Sequence, residues 1–204
     1  MSQKAVSHSH DEHAISMERL VFFSDAVFAI AITLLALEIR LPEAAGLNDA
    51  ELWRALGAIY PKYLSFMVSF LVIGNFWFIH HRQFGYIERY DTRLIFINLL
   101  ALMAIAFIPF PTVVISENGN RAATIFYALT MCAVGLLLTL LWFHAASGRR
   151  LTAPDLPPAI VRRGMIRNLS VSAVFLLSVA LAFIHADLAK FSWLLIAPAV
   201  ALVK

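Results

Sequence analysis

Long apolar runs recur along this 204-residue chain and constrain its fold more than any other feature. An α-helix rises about 1.5 Å per residue, so about 20 apolar residues are needed to cross the hydrocarbon core of a bilayer. Five runs meet this requirement, at 20–39, 63–81, 94–115, 122–146 and 168–186. A sixth run at 191–203 is shorter, so its helix is expected to begin near His185 or Asp187. The sequence therefore predicts an all-α, polytopic membrane protein with six transmembrane helices per chain.

The composition supports this fold class and divides the chain into a tail and a domain. Charged residues make up 14% of the chain, against roughly 25% in soluble domains. Residues 1–15 are predicted to form a disordered polar tail and 16–204 a single six-helix domain. The mixed charges of the tail differ from the basic start of a signal peptide, so the first run is expected to remain as a span. His8, His10 and His13 could bind a transition metal, but a solvated tail is favoured because single flexible histidines bind weakly.

Basic residues between the apolar runs predict the orientation of the chain. Loops rich in Lys and Arg stay on the cytoplasmic side. The loops after the second and fourth runs, including Arg82, Arg163 and Arg167, hold eight such residues, and the other loops hold five. Together with an even number of spans, this places both termini in the cytoplasm. The net charge of +3 is therefore attributed to loop residues, and nucleic-acid binding is not expected.

An acidic residue, Asp25, lies inside the first apolar run. A carboxylate within the hydrocarbon costs about 3 kcal/mol on insertion scales, so it normally has a partner and a function. Trp77, His80 and His81 share one face of the second span, on the membrane side where Asp25 and Ser24 lie. These residues are predicted to form a buried hydrogen-bonded cluster. The alternative is that the two histidines contact lipid headgroups.

The first span also carries an apolar stripe on a face that excludes Ser24 and Asp25. With about 100° per residue, Ile30, Leu34 and Leu37 fall within about 40° of one line, and Thr33 lies about 60° from it. Two interpretations fit this stripe. It can pack against other helices or lipid, or several copies of the helix can surround an axis and form a hydrophobic constriction that gates ions by dewetting.

Three local patterns refine the predicted architecture. The segment 43–62 is predicted to hold a short amphipathic helix that leads to the second span. Asn98, a polar residue in the third run, is expected to form a hydrogen bond between helices. Pro109 and Pro111 are expected to kink the end of that span.

Three segments of the chain resemble the transmembrane protein 175 family of potassium channels. They are Arg19-x-x-x-Phe23-Ser24-Asp25 with the apolar residues after it, Trp77-x-x-His80-His81-Arg82, and Asn98-Leu-Leu through Ile108-Pro-Phe-Pro-Thr112. The resemblance is carried by specific motifs over roughly 16–115 and by hydropathy alone over the later spans. It implies a single six-helix repeat that forms a homotetramer in the bilayer, with the first helix of each chain lining a central pore.

The resemblance also assigns roles to residues of the first two spans. It implies a hydrophobic constriction at Ile30, with Leu34 and Leu37 along the same axis and a layer of hydroxyl groups at Thr33. It further implies a structural network around the pore helix, formed by Arg19, Phe23, Ser24, Asp25, Trp77 and one of His80 and His81. Which histidine takes part is left open.

The function implied by the resemblance is a potassium-permeable, modestly selective cation channel in the plasma (cell inner) membrane. Rubidium and caesium ions are expected to pass as well, and no cofactor is expected. The alternative is a proton-coupled secondary cation transporter, in which Asp25 and His80 would carry the proton. An enzyme is not expected, because no nucleophile and base or metal-binding constellation is visible, and Cys132 is the single cysteine.

Overall fold

The computed structural model describes residues 3–41 and 46–196, and in this part of the chain all regular elements are helices. The α-helices are α1 Gln3–Leu37, α2 Asp49–Ala58, α3 Tyr60–Phe84, α4 Thr92–Phe107, α5 Pro109–Asn118, α6 Arg121–Ala146, α7 Pro158–Ala182 and α8 Ala186–Phe191. Short 3-10 turns follow α6 and α8, at Ser147–Arg149 and Ser192–Leu195. The prediction of an all-α protein is confirmed.

Five stretches of the described chain are long and apolar enough to cross a membrane. They are Met17–Leu37, Tyr60–Phe84, Thr92–Asn118, Arg121–Arg149 and Pro158–Ala182. These stretches match the first five predicted spans. The sixth span stays a prediction: the segment where it is predicted to begin forms α8 and the 3-10 turn after it, and residues 197–204 lie outside the described residues.

The structure changes the predicted starts of two helices, α1 and α7, and confirms the short helix α2. The sequence predicts a disordered tail over 1–15, whereas α1 begins at Gln3, and residues 3–37 contain no glycine or proline that would end the helix. α7 begins at Pro158, a residue suited to the first turn of a helix. Arg162 and Arg163 are therefore helical and do not lie in a loop as predicted. The short helix α2 is confirmed, and Asn48 and Glu51 form its capping box.

The third span is broken at the predicted position. α4 ends at Phe107 and α5 begins at Pro109, with Ile108 between them. A proline in the first turn of α5 lacks the N–H that would continue the hydrogen bonding of α4. The two buried prolines, Pro109 and Pro111, thus separate α4 from α5 within one span.

The core is arranged around α6, which contacts α4, α5 and α7. Its buried face includes Tyr127, Met131 and Leu138. α1 lies at the edge of this bundle and packs against α3 and α4 through the buried side chains of Phe28 and Leu35. Among the described residues, this peripheral position leaves the other face of α1 exposed.

The end of the bundle where α3 and α6 finish is closed by paired loops. The Leu151 carbonyl accepts from the Glu88 and Arg89 N–H groups, and Asp91 accepts from the Leu94 N–H at 2.7 Å and from His144 Nε2 at 3.0 Å. Burial opposes ionisation of the Asp91 carboxyl, but these hydrogen bonds outweigh it and hold its pKa below the ordinary value. The contacts fix the loop between α3 and α4 against the end of α6.

Candidate functional site

The two faces of α1 differ sharply in exposure within a single chain. Phe28 and Leu35 are 1% and 2% exposed, whereas Ile30, Leu34 and Leu37 are 58%, 40% and 62% exposed. The stripe predicted from helical periodicity therefore lies on the outer face of α1. A contiguous apolar face of this kind requires either lipid or protein to cover it.

Thr33 lies one turn from Ile30 on the same exposed side of α1. Its hydroxyl donates a hydrogen bond to the Ile30 carbonyl oxygen at 2.9 Å. Because the hydroxyl proton is held inside the helix, the lone pairs of the oxygen point away from it. Thr33 can therefore offer an oxygen ligand to a cation, but it adds no charge to this face.

A chain of hydrogen bonds inside the protein joins α1, α4 and α3. Ser24, Asn98 and His80 are each 0% exposed. The Asn98 Nδ2 group donates to Ser24 Oγ at 3.0 Å, and Ser24 Oγ donates to the Leu20 carbonyl at 2.8 Å. His80 Nε2 lies 2.9 Å from Asn98 Oδ1. Since the amide oxygen only accepts, this orientation assigns the proton of His80 to Nε2.

Asp25 is held by a different residue of α3. The Trp77 indole N–H donates to Asp25 Oδ1 at 2.8 Å. The exposed His81 ring stacks on Trp77 with a centroid distance of 5.3 Å. The His80 ring lies inside the protein, stacked on Phe84 at 4.3 Å. The structure therefore includes His80 in the interhelical network and places His81 at its outer edge.

These contacts correct the predicted pairing of the polar residues. The sequence predicts that Asp25 and Ser24 meet a histidine directly, but their side-chain partners are Trp77 and Asn98. The difference arises because α4 packs beside α1 and inserts Asn98 between Ser24 and His80. Asn98 was predicted to link helices, which the structure confirms. Its position in this network could not be inferred from spacing, because it depends on the rotation of α4.

Two residues assigned to the structural network lie on the surface of the single chain. Arg19 is exposed and Phe23 is 51% exposed, on the side of α1 that carries the apolar stripe. Neither residue takes part in the hydrogen-bonded network of Ser24, Asn98 and His80. Their role therefore remains a prediction that concerns contacts between copies.

Among the described residues, no group of three or more His, Cys, Asp or Glu side chains is positioned to hold a metal ion. The side chains of His8, His10 and His13 lie outside the described residues.

Loss of the hydrogen bond between Asp25 and Trp77 is expected to reduce assembly of the protein and to change its ion selectivity little. Asp25→Ala and Trp77→Phe each remove this bond, and each should lower the free energy of unfolding by about 1–2 kcal/mol. Because the two substitutions remove one shared interaction, the double variant should be little worse than either single variant. Denaturant titrations measure the stability, and size-exclusion chromatography measures the yield of the assembled protein. Normal assembly with altered ion selectivity in Asp25→Ala would overturn this geometry.

Comparison with known proteins identifies relatives over most of the chain. The family described as "Endosomal/lysosomal potassium channel TMEM175" matches residues 19–109. A potassium channel of Streptomyces collinus is 42% identical over 175 residues, which cover 83% of this chain and 84% of that protein. A potassium channel of Chamaesiphon minutus is 40% identical over 139 residues, which cover 66% of this chain and 68% of that protein.

Animal proteins match over a smaller part of their length. The Mus musculus protein named endosomal/lysosomal proton channel TMEM175 is 35% identical over 108 residues, which cover 50% of this chain and 22% of that protein. The shared part is therefore about half of the present chain.

Solved structures share the fold. The crystal structure of a lysosomal potassium-selective channel TMEM175 homolog from Chamaesiphon minutus superposes with a TM-score of 0.79 and 34% identity, over 92% of this chain and 97% of that chain. A second crystal structure, of a variant of the potassium channel MtTMEM175 in complex with a nanobody fusion protein, is 22% identical with a TM-score of 0.66. It covers 90% of each chain and supports the fold alone.

Proposed function

Because the chain belongs to the TMEM175 family of potassium channels, we propose that four copies surround an axis lined by α1 and conduct potassium ions through a bilayer. The observation that carries this proposal is the exposure of Ile30, Leu34 and Leu37, on the face of α1 opposite the buried Phe28 and Leu35. Around an axis, four such stripes cover one another and enclose a path through the membrane.

The proposed gate is a hydrophobic constriction at Ile30. A narrow ring of aliphatic side chains holds no water in its closed state, and a dry segment blocks ions because they cannot keep their hydration shells. Opening then requires α1 to rotate or tilt so that the four Ile30 side chains withdraw. The Thr33 hydroxyl, bonded to the Ile30 carbonyl, would supply oxygen ligands to the passing ion.

The network behind α1 has a structural role in this proposal. Ser24 and Asp25 are held from α4 and α3 by Asn98 and Trp77. These bonds fix the rotation of α1 and so determine which face meets the axis. Arg19 and Phe23, exposed on the single chain, are proposed to contact the neighbouring copies.

Selectivity is expected to be modest in such a pore. The proposed lining consists of aliphatic side chains and one hydroxyl layer, so few fixed dipoles distinguish potassium from sodium. Rubidium and caesium, which lose water more easily than sodium, are proposed to pass as well. The proposed location is the plasma membrane with both termini in the cytoplasm, as the Lys and Arg residues of the loops indicate.

A proton-coupled transporter is the second candidate, because the first span carries an acid. The contacts observed favour it less than the channel. Asp25 accepts from Trp77, and His80 is bonded to the Asn98 amide. An indole N–H and a carboxamide do not exchange protons readily at neutral pH. No hydrogen bond in the described part of the chain joins Asp25 to His80 directly.

Ion flux into liposomes distinguishes the two candidates. We expect purified protein to dissipate a potassium gradient passively, with the same rate whether or not a pH gradient is present. Protein-free liposomes from the same lipid provide the control for leak. Uptake that occurs only with a pH gradient, and that acidifies or alkalises the lumen in proportion, would contradict the channel and favour the transporter.

A further inference from the structure

Two arginines from different helices lie on one aromatic ring at the end of α3. The Arg82 guanidinium carbon is 5.8 Å from the centroid of Phe78, and the Arg167 guanidinium carbon is 5.1 Å from it. Arg82 belongs to the last turn of α3, and Arg167 belongs to α7. Arg163 lies one turn before Arg167 on α7 and is exposed. The three side chains form a basic cluster, which we name the Phe78 cluster.

The Phe78 cluster lies where a membrane-spanning segment meets the headgroup region. Arg82 directly follows the apolar run 63–81, and Arg167 directly precedes the run 168–186. Both arginines therefore lie at the edge of the hydrocarbon on the same side of the bundle. Long cationic side chains at this depth reach the phosphates of the lipid.

The charges of this cluster are not balanced by the protein that the structure describes. Among those residues, neither Arg82 nor Arg167 has a carboxylate oxygen within 4.0 Å. The two positive charges interact unfavourably, and the Arg167 Nε atom is buried without a hydrogen-bond partner. The ring of Phe78 contacts the guanidinium groups by its face, which leaves their N–H edges free. An anion with several oxygens would satisfy them.

The surface below the cluster is apolar, with open space at Gly74. Along α3, Arg82, Phe78, Gly74 and Leu71 follow one another at spacings of four, four and three residues, so they lie on one face. Phe78 and Leu71 are 44% and 69% exposed. A Cβ atom added at Gly74 would have no neighbour within 4 Å. This face is basic at the headgroup level and apolar deeper in the membrane. A phospholipid has the same arrangement, with a charged headgroup above an apolar acyl chain.

We propose that the Phe78 cluster binds the phosphate headgroup of an anionic phospholipid, whose acyl chain lies along Gly74 and Leu71. The phosphate oxygens accept hydrogen bonds from Arg82 and Arg167, and Arg163 adds positive charge at the outer rim. The single negative charge of the phosphodiester offsets part of the positive charge of the two arginines, and the bound lipid joins the end of α3 to α7. This site is independent of the ion pathway on α1.

Native mass spectrometry of the detergent-purified channel, titrated with phosphatidylglycerol, tests the site. The wild-type protein should bind phosphatidylglycerol more tightly than phosphatidylcholine. Removal of both guanidinium groups in the R82Q/R167Q variant should weaken phosphatidylglycerol binding about tenfold or more. The R89Q/R93Q variant loses the same charge on the same side of the bundle, and its binding should change less than about twofold.

A second variant tests the proposed acyl-chain site at Gly74 without changing the charge of the protein. Gly74→Leu fills the open space beside Phe78, and it should weaken phosphatidylglycerol binding but leave the weak binding of soluble glycerol phosphate unchanged. Equal affinity for the two phospholipids, or equal losses in R82Q/R167Q and R89Q/R93Q, would overturn the proposal. If Gly74→Leu has no effect and inorganic phosphate competes fully with phosphatidylglycerol, the cluster is a site for soluble anions and the lipid site is refuted.

Discussion

An Ile30→Asn channel is expected to conduct about tenfold more current than the wild type, with weaker discrimination between potassium and sodium. In the proposed pore, Ile30 forms the dry ring that blocks ions while the channel is closed. An asparagine amide at this position binds water, and a reduction of the barrier by about 1.4 kcal/mol corresponds to tenfold in rate. Single-channel recordings in planar bilayers give the unitary conductance and the open probability, and reversal potentials give the selectivity.

The control for this variant is Leu177→Asn, which places the same polar group on an exposed apolar position of α7. Its conductance should equal that of the wild type, because α7 is not proposed to line the pore. Unchanged currents in Ile30→Asn, or equal changes in both variants, would exclude Ile30 as the constriction. The stripe on α1 would then be a surface that faces lipid or packs between copies.

Replacement of Asn98 is expected to be the most destabilising single substitution in the interhelical network. Asn98→Leu removes the bonds to both Ser24 and His80, and all three residues are fully buried. Each polar group left without a partner in the protein interior costs about 1–3 kcal/mol, so the total loss should be about 2–4 kcal/mol. Thermal unfolding of the purified protein and the yield of the assembled channel measure the effect.

Asn75→Leu provides a matched control for Asn98→Leu. Asn75 also lies in a membrane span, is only partly buried, and makes no side-chain hydrogen bond within the described residues. Its replacement should leave the stability nearly unchanged. Similar stability of Asn98→Leu and Asn75→Leu would show that the buried network does not hold α1 in position.

Hydropathy was sufficient to predict the five described spans, because length and apolar character directly reflect the thickness of the bilayer. It was not sufficient for the ends of these helices. The arginines at 162 and 163 suggested a loop, but Pro158 starts α7 before them. A helix extends beyond the hydrocarbon when its first residues favour helical geometry, so the length of the apolar run underestimates that of the helix.

Periodicity located the exposed stripe of α1, since a helix fixes the angles between its own residues. Ile30, Leu34 and Leu37 are exposed together, as the helical wheel requires. Periodicity did not identify the partners of Ser24 and Asp25. Those partners, Asn98 and Trp77, depend on how α4 and α3 are rotated against α1. Such rotations result from the packing of many side chains and cannot be inferred from one helix.

The role of the exposed stripe is a property of the assembly, which neither the sequence pattern nor a single chain determines. A face directed at lipid and a face directed at a central pore are both apolar and both exposed on the isolated chain. The membership of the chain in a potassium-channel family favours the pore.

The most direct measurement is a bi-ionic reversal potential of the purified protein in planar bilayers, with potassium on one side and sodium on the other. A potassium-permeable, modestly selective channel predicts unitary currents and a non-zero reversal potential of the sign that favours potassium. A reversal potential of zero would contradict potassium selectivity, and an absence of current alongside proton-dependent flux in liposomes would contradict the channel itself.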